Sequence, residues 1–391
     1  MTPEVRTALC PTANSAFSFD RVTRAIALSA AVVLPALALA PSAMAQITPT
    51  VTNTIPFFTA PATGSVFAEA ISADGSTLYV TNQSSGSTAG ALSTLDISTG
   101  TIGAVSGTVG GFPLGLAFNH PASRAYVTNL NDSTVSVLGL SKLATQQTLD
   151  VSGNAALPYS VVYDGGHILI SSIGGSNIVP EYGWQTPLAL FKNIPIPGST
   201  AKAAVVPENP AYASGNGNPT ARNLGNKIAI PVFYPSTTSI SGGVPRLFFV
   251  NPTTGTLFLT LSLEGSTASP EDVVISPDGH YAYVSLFDTL GGTGGGVWVV
   301  NLHTLETVTV IPTEDFANYG EALSADGKYL LVTGFSDGEV ALIDTTALTL
   351  DYIIQVGNNP FDVAVTADGS TAFVTNESDG TVSQIAFSPN L

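Results

Sequence analysis

The sequence predicts an all-β fold: a closed seven-bladed β-propeller of four-stranded antiparallel blades, its last blade completed by the N-terminal strand. Three observations carry this. Tyr79-Val80-Thr81-Asn82 is repeated letter for letter at Tyr126-Val127-Thr128-Asn129, and weaker copies stand at Tyr283-Val284-Ser285, Leu331-Val332-Thr333-Gly334 and Phe373-Val374-Thr375-Asn376. Most copies follow an Asp-Gly turn in the same local context. The last copy runs out one strand early, while an orphan strand stands near the N-terminus. A period of roughly 40 to 50 residues means that one small β unit is repeated and buries its faces only by stacking on its neighbours.

The chain begins with a segment outside that pattern. Arg21 and Arg24 precede an apolar run from Ala25 to Ala40, followed by Ser42-Ala43-Met44-Ala45 and then Gln46. A positive flank, a short apolar core and an Ala-x-Ala end describe a secretory signal peptide cut after Ala45. The run is shorter than the ~20 apolar residues of a spanning helix, and Pro35 interrupts it. Residues 1–45 are therefore expected to be removed, leaving 46–391 as one propeller with a periplasmic or extracellular address and no membrane span.

Composition narrows the functions further. The only cysteine, Cys10, lies upstream of the cut, which excludes disulfides, thiolate metal sites and haem attachment in the mature chain. Subtracting three arginines and two acids of the leader leaves 8 basic and 26 acidic residues, a net charge of about −18. Such a balance argues against nucleic acid and anionic membrane surfaces as partners.

The first unit reads as strands over Glu69–Ser72, Thr77–Asn82 and Ala91–Ile97, with a fourth from Thr101. Asp74-Gly75 and Ser98-Thr99-Gly100 supply the turns, and alternating Leu, Val and Ile fit a strand period of two. The unit restarts near Leu114 and near Tyr159, and clear copies turn at Asp278-Gly279, Asp326-Gly327 and Asp368-Gly369. The long interval from Asp164 to Asp278 hides one more copy: Ala201–Val206, Lys227–Phe233, Arg246–Val250 and Leu257–Leu263. An irregular Pro-, Gly- and Asn-rich insertion, 207–226, interrupts it; loops of that length are usually functional or mobile. The seventh unit ends at Thr381–Phe387, and Val51–Thr59 is the strand left over to complete it. Ring closure removes exposed edges, a use that an open β solenoid does not have for two complementary truncations.

The Ser-x-Asp-Gly-x-x-x-Tyr-Val-Thr-Asn pattern resembles the YVTN-type β-propeller repeat of exported bacterial and archaeal proteins. The resemblance spans essentially all of 46–391 and implies the fold far more specifically than a function. It extends to surface-layer proteins, lactonase-like enzymes and companions of periplasmic dehydrogenases.

Most of the repeated letters read as structural. Asn82, Asn129 and Asn376 are expected to satisfy backbone groups at strand ends, and Asp96, Asn251, Asn301 and Asp344 to cap hairpin turns. His120, His167 and His280 fall in the turns between first and second strands and His303 in a later hairpin, too dispersed around a ring to share a metal. No His-Glu-x-x-His spacing is present.

Position gives sharper candidates. Counted back from each Asp-Gly turn, Glu69 and Glu321 are equivalent, and Asp272 and Asp362 lie one place earlier, with Glu271 adjacent. They belong to units one, six, five and seven, consecutive around a ring, so the four should gather on one arc of the channel mouth. There they would hold Ca²⁺ or another divalent cation, or else each would accept backbone hydrogen bonds where its strand begins. No other cofactor is predicted. Tyr182 and Trp184, in the stretch Pro180-Glu181-Tyr182-Gly183-Trp184, form with Tyr212 and Arg222 of the insertion a candidate surface for a protein or carbohydrate partner. Three function classes follow: a non-enzymatic exported binding or scaffold propeller, a lactonase-like hydrolase with a metal at the channel mouth, and an accessory protein of periplasmic quinone-dependent oxidation. The first is favoured, because no catalytic constellation is visible.

Overall fold

The structure, a computed structural model, describes residues 47–391 except 59–62, 120–121, 174–177, 184–186, 197–198, 201, 206–226, 237–238, 289–294 and 314–316. Side chains are also outside the description at 199, 204–205 and 233–243.

Seven antiparallel sheets stand in sequence order around a ring. The chain opens with β1 (Thr48–Pro56), which belongs to the last blade. Blade one is β2 (Gly64–Ile71), β3 (Thr77–Ser84), β4 (Ala91–Asp96) and β5 (Thr101–Val105). Blade two is β6 (Pro113–Phe118), β7 (Arg124–Asn129), β8 (Thr134–Gly139) and β9 (Ala144–Asp150). Blade three is β10 (Pro158–Tyr163), β11 (His167–Ser172), β12 (Ile178–Gly183) and β13 (Leu190–Pro195). In blade four the innermost strand is broken into β14 (Ser199–Thr200) and β15 (Ala204–Val205), both pairing with β16 (Ile228–Ser236), which is followed by β17 (Ser239–Asn251) and β18 (Thr256–Ser262). Blade five is β19 (Ser269–Ile275), β20 (Tyr281–Phe287), β21 (Gly296–Asn301) and β22 (Glu306–Ile311). Blade six is β23 (Asn318–Leu323), β24 (Tyr329–Gly334), β25 (Glu339–Asp344) and β26 (Thr349–Gln355). Blade seven runs β27 (Pro360–Val365), β28 (Thr371–Asn376) and β29 (Thr381–Ser388), and β1 closes it from outside.

The closing pair is antiparallel, from Thr48 opposite Ser388 to Pro56 opposite Thr381, with one irregularity between Val51 and Asn53. The N-terminal strand thus completes the last blade as expected. It lies three residues nearer the N-terminus than the sequence suggests, and Thr59 itself is outside the described residues.

The middle strands are buried on both faces, and alternate residues enter different layers, so each blade feeds two cores. Ala282, Val284, Trp298 and Val300 of blade five pack against Ala229, Leu247 and Phe249 of blade four. Their neighbours Tyr283, Val297 and Val299 face Leu330, Val332 and Ala341 of blade six. Val66, Leu78 and Val80 of blade one meet Ile55, Phe373 and Val382 of blade seven, which joins the two ends of the array. The apolar interior is a set of inter-blade layers, and no blade has a core of its own.

The turns show why the repeat keeps its letters. In blade one Ser72 Oγ donates to Asp74 Oδ1 (2.6 Å), which accepts the Ser76 amide (3.1 Å). Blades five, six and seven repeat this through Asp278, Asp326 and Asp368. Only the glycine of each pair takes positive φ, as at Gly75 (71°), so these are not turns with two left-handed residues. Asp96, Asn251, Asn301 and Asp344 each accept backbone amides of the following turn, as expected. The repeated asparagines meet the expectation in part: Asn82 Nδ2 donates to Val80 O (3.2 Å) and Asn376 Oδ1 accepts Gly357 N (3.1 Å). Asn129 Nδ2 donates to Thr134 Oγ1 (2.9 Å) and Ser136 Oγ (3.0 Å), and Asn376 does the same with Thr381 and Ser383. They tie the second strand chiefly to hydroxyls of the third.

The threonine of the repeat joins blades. The Thr375 hydroxyl accepts the Asp362 amide of its own blade (3.1 Å) and donates to Phe67 O of blade one (2.5 Å). Thr128 bridges Gly115 N to Tyr159 O, Ser285 bridges Asp272 N to Tyr319 O, and Thr333 bridges Gly320 N to Phe361 O. We expect Thr375→Val, which keeps shape but orphans a buried donor and a buried acceptor, to cost about 2 kcal/mol in denaturant unfolding. A loss below about 0.5 kcal/mol would show the stitch to be dispensable.

Candidate functional site

The innermost strands share one irregularity. Their ladders slip between Val66 and Glu69, Pro113 and Gly115, Pro158 and Ser160, Pro270 and Asp272, Asn318 and Glu321, and Pro360 and Asp362. A bulge leaves the extra residue without a ladder partner and re-aims its side chain. In blades two, three, five, six and seven the extra residues are Leu114, Tyr159, Glu271, Tyr319 and Phe361, and all five line a central cavity of about 310 Å³, whereas Phe67 of blade one does not. The blades crowd there: a Cβ on Gly320 would come within 2.7 Å of Asp362 Cα.

Lys202 enters this cavity from the break between β14 and β15. Its amide donates to Glu271 O (3.0 Å), and its ammonium sits 2.9 Å from Asp272 Oδ2 and 2.8 Å from Asp362 Oδ1. Each aspartate also accepts an amide from the glutamate one blade on: Asp272 from Glu321 N (3.1 Å), Asp362 from Glu69 N (3.3 Å). Asp272 Oδ1 accepts Val273 N (2.7 Å) and Asp362 Oδ1 accepts Val363 N (3.0 Å). Glu321 turns away into the interface with blade five, where its Oε1 accepts Ser285 N (3.1 Å).

The sequence-predicted four are therefore brought to one arc, but as two Asp–Glu pairs. The cation lying between the two aspartates is the chain's own Lys202. Glu69 and Glu321 are buried at 7% and 3% exposure. Burial first, then the neighbouring aspartate, holds both carboxyls well above the usual range. Asp272 is pushed up to about 6 by burial, against the pull of Lys202 and with the push of Asp362. Glu271, the half-buried one, is raised to about 7 by burial, partly offset by a hydrogen bond with Ser269. Burial opposes the charge on Lys202, yet the two aspartates outweigh it and hold the ammonium above its ordinary range.

Rings complete the wall. Tyr319 lies 5.4 Å from Phe361 and 4.9 Å from Phe335, centroid to centroid. The phenols of Tyr159 and Tyr319 are pushed up, by burial first and by the charge of Glu271 next. No histidine or cysteine is among the described residues lining the cavity.

The second predicted surface requires correction. Tyr182 is 3% exposed and belongs to the core between blades two and three, because Pro180–Gly183 is part of β12 rather than a loop. Trp184, Tyr212 and Arg222 lie outside the described residues, as do His120 and the insertion 207–226.

His167 is more than a turn residue. It opens β11 with Nδ1 3.2 Å from Glu181 Oε1 and 3.9 Å from Asp164 Oδ2, while Lys192 Nζ lies 3.4 Å from Glu181 Oε2. Lys192 also donates to the carbonyls of Pro252 and Thr253 in blade four. Asp164, His167 and Glu181 are spaced as a metal could use them, but Lys192 and the His167 imidazole already face the buried Glu181, and we read the group as a polar cluster fastening blade three to blade four.

No family model and no curated protein matches the chain. Among solved structures, Kuenenia stuttgartiensis hydrazine synthase is similar at a TM-score of 0.68 and 18% identity, over 82% of this chain and 95% of that one. At that identity the likeness shows the propeller fold alone. The YVTN-type resemblance accordingly rests on the repeated residues themselves.

Proposed function

We propose that this chain is an exported, non-enzymatic binding propeller that takes a small ligand into its central cavity. The observation that carries the reading is the cavity itself: about 310 Å³, walled by charged and aromatic residues that a repeated bulge aims at one place. That is the lower size range of ligand pockets, and convergent polar groups among aromatic walls are their usual chemistry. The two aspartates are engaged with amides and with Lys202, which favours binding over proton transfer by them. A lactonase-like metal at the arc would compete with that ammonium for the same aspartates, so the hydrolase reading is the weaker. Accessory oxidation has only likeness of fold behind it.

The test is ligand-observed NMR with a panel of small cations, anions and neutral sugars, comparing the native protein with Ala203→Phe, which fills the cavity from its wall. At least one class should bind one to one and lose tenfold or more in affinity on filling. Failure of the whole panel, or binding indifferent to Ala203→Phe, would overturn the proposal.

A further inference from the structure

We propose that the cavity selects a small organic monocation, an alkylammonium or methylated ammonium, seated between the Glu271 carboxylate and the rings of Tyr159, Tyr319 and Phe361. This rests on the cavity being the binding site and names what it binds.

The charge inventory sets the sign. Four acids, Glu69, Glu271, Asp272 and Asp362, are among the described residues lining the cavity, against one base, Lys202. That base is held by Asp272 and Asp362 at 2.9 and 2.8 Å. Glu69 is 7% exposed, and burial raises its carboxyl well above the usual range. Glu271 is the carboxylate left over: half-buried, aimed inward by its bulge, bonded to the Ser269 hydroxyl and, among the described residues, in no ion pair with a base. An anionic ligand would meet this surplus charge and a lysine already neutralised.

The walls set the kind of cation. Hard divalent ions want six or more oxygen ligands, which rings do not supply, whereas ammonium groups are held on aromatic faces and by an opposing carboxylate. Tyr319 and Phe361 stand 5.4 Å apart along one side, and Tyr159 lines the same cavity near Glu271. Lys202 is the internal precedent, since the cavity already seats one alkylammonium between carboxylates.

Calorimetric titration of the purified protein decides it, with n-butylammonium and tetramethylammonium chloride as probes and sodium acetate, glucose and calcium chloride as controls at matched ionic strength. Both ammonium probes should bind one to one, and Glu271→Gln should weaken them at least tenfold. Tyr319→Leu should weaken tetramethylammonium more than butylammonium. Affinity should rise severalfold from pH 6 to pH 8 as Glu271, facing Asp272, Lys202, Tyr159, Tyr319 and Asp362, gives up its proton near 7. Equal binding to native protein and Glu271→Gln would overturn the proposal. Acetate or glucose binding that Ala203→Phe abolishes would overturn the cation while sparing the cavity as a site. Calcium binding more tightly than the ammonium probes, in competition with them, would replace it with a divalent-ion site. No binding by any probe would sink both readings. If Glu271→Gln does not fold, Glu271→Asp and the native pH profile decide, a flat profile counting against the carboxylate.

Discussion

Deleting residues 47–58 should convert a cooperatively melting protein into one that aggregates or unfolds on the order of 10 °C lower. The segment supplies the outer strand of blade seven, eight register pairs against β29, and buries Ile47 and Ile55 in two different inter-blade layers. Each isoleucine contributes about 2 kcal/mol by burial alone, and loss of the ladder exposes β29 as a new edge. A total near 5 kcal/mol, at about 2 °C per kcal/mol for a chain of this size, gives the shift. Thr48 stands opposite Ser388, so a short loop can carry the same strand after the C-terminus as a direct hairpin. That permutant should melt within a few degrees of the native chain. A deletion that melts normally, or a permutant as unstable as the deletion, would show that closure is not what β1 provides.

Lys202→Met should cost about 3 kcal/mol at pH 8 and much less at pH 5. Removing the ammonium leaves Asp272 and Asp362 facing each other with only backbone amides for company. Breaking a buried ion pair on one side typically costs 3–5 kcal/mol, and the lower end applies because 38% of the lysine side chain is open to the channel. The sign follows from Asp272, which already titrates about 6 in the folded protein, above its unfolded value near 4. A carboxyl raised on folding gives stability that is full below the unfolded value and lost as pH rises through the folded one. The variant raises that folded value further, so its deficit should grow from pH 5 to pH 8. Adding Asp362→Asn should recover most of the loss. A deficit independent of pH, or no recovery in the double variant, would assign Lys202 a packing role only.

Much of the arc was legible because register survives sequence divergence. Asp272 and Asp362 occupy one repeat position and Glu69 and Glu321 the next, and consecutive blades had to bring them together. Their pairing was not legible, since an aspartate stops in the cavity and a glutamate, one methylene longer, reaches an amide of the preceding blade. Lys202 left no signal: blade four is the most divergent copy, and the break that delivers the lysine is a backbone event between two two-residue strands. Tyr182 was misread for a related reason, because Pro180 and Gly183 look like loop residues although they belong to a buried strand. The Asp-Gly glycines were legible as turn residues, but that each turn has a single left-handed residue depends on the Ser–Asp hydrogen bonds around it.

By itself the sequence determined the number of blades, the order of strands and the closure of the last blade. Those follow from local chemistry, namely turn residues, a strand period of two and complementary truncations, and local chemistry is written in consecutive letters. The tertiary structure alone decided that the repeat threonine stitches neighbouring blades, that the bulges turn five side chains into one cavity, and that the cation between the aspartates is a lysine from the broken inner strand of blade four. Those contacts join residues up to about 300 positions apart, such as Thr375 and Phe67. Their strength comes from burial and from distances of a few ångströms, which only closing the ring creates.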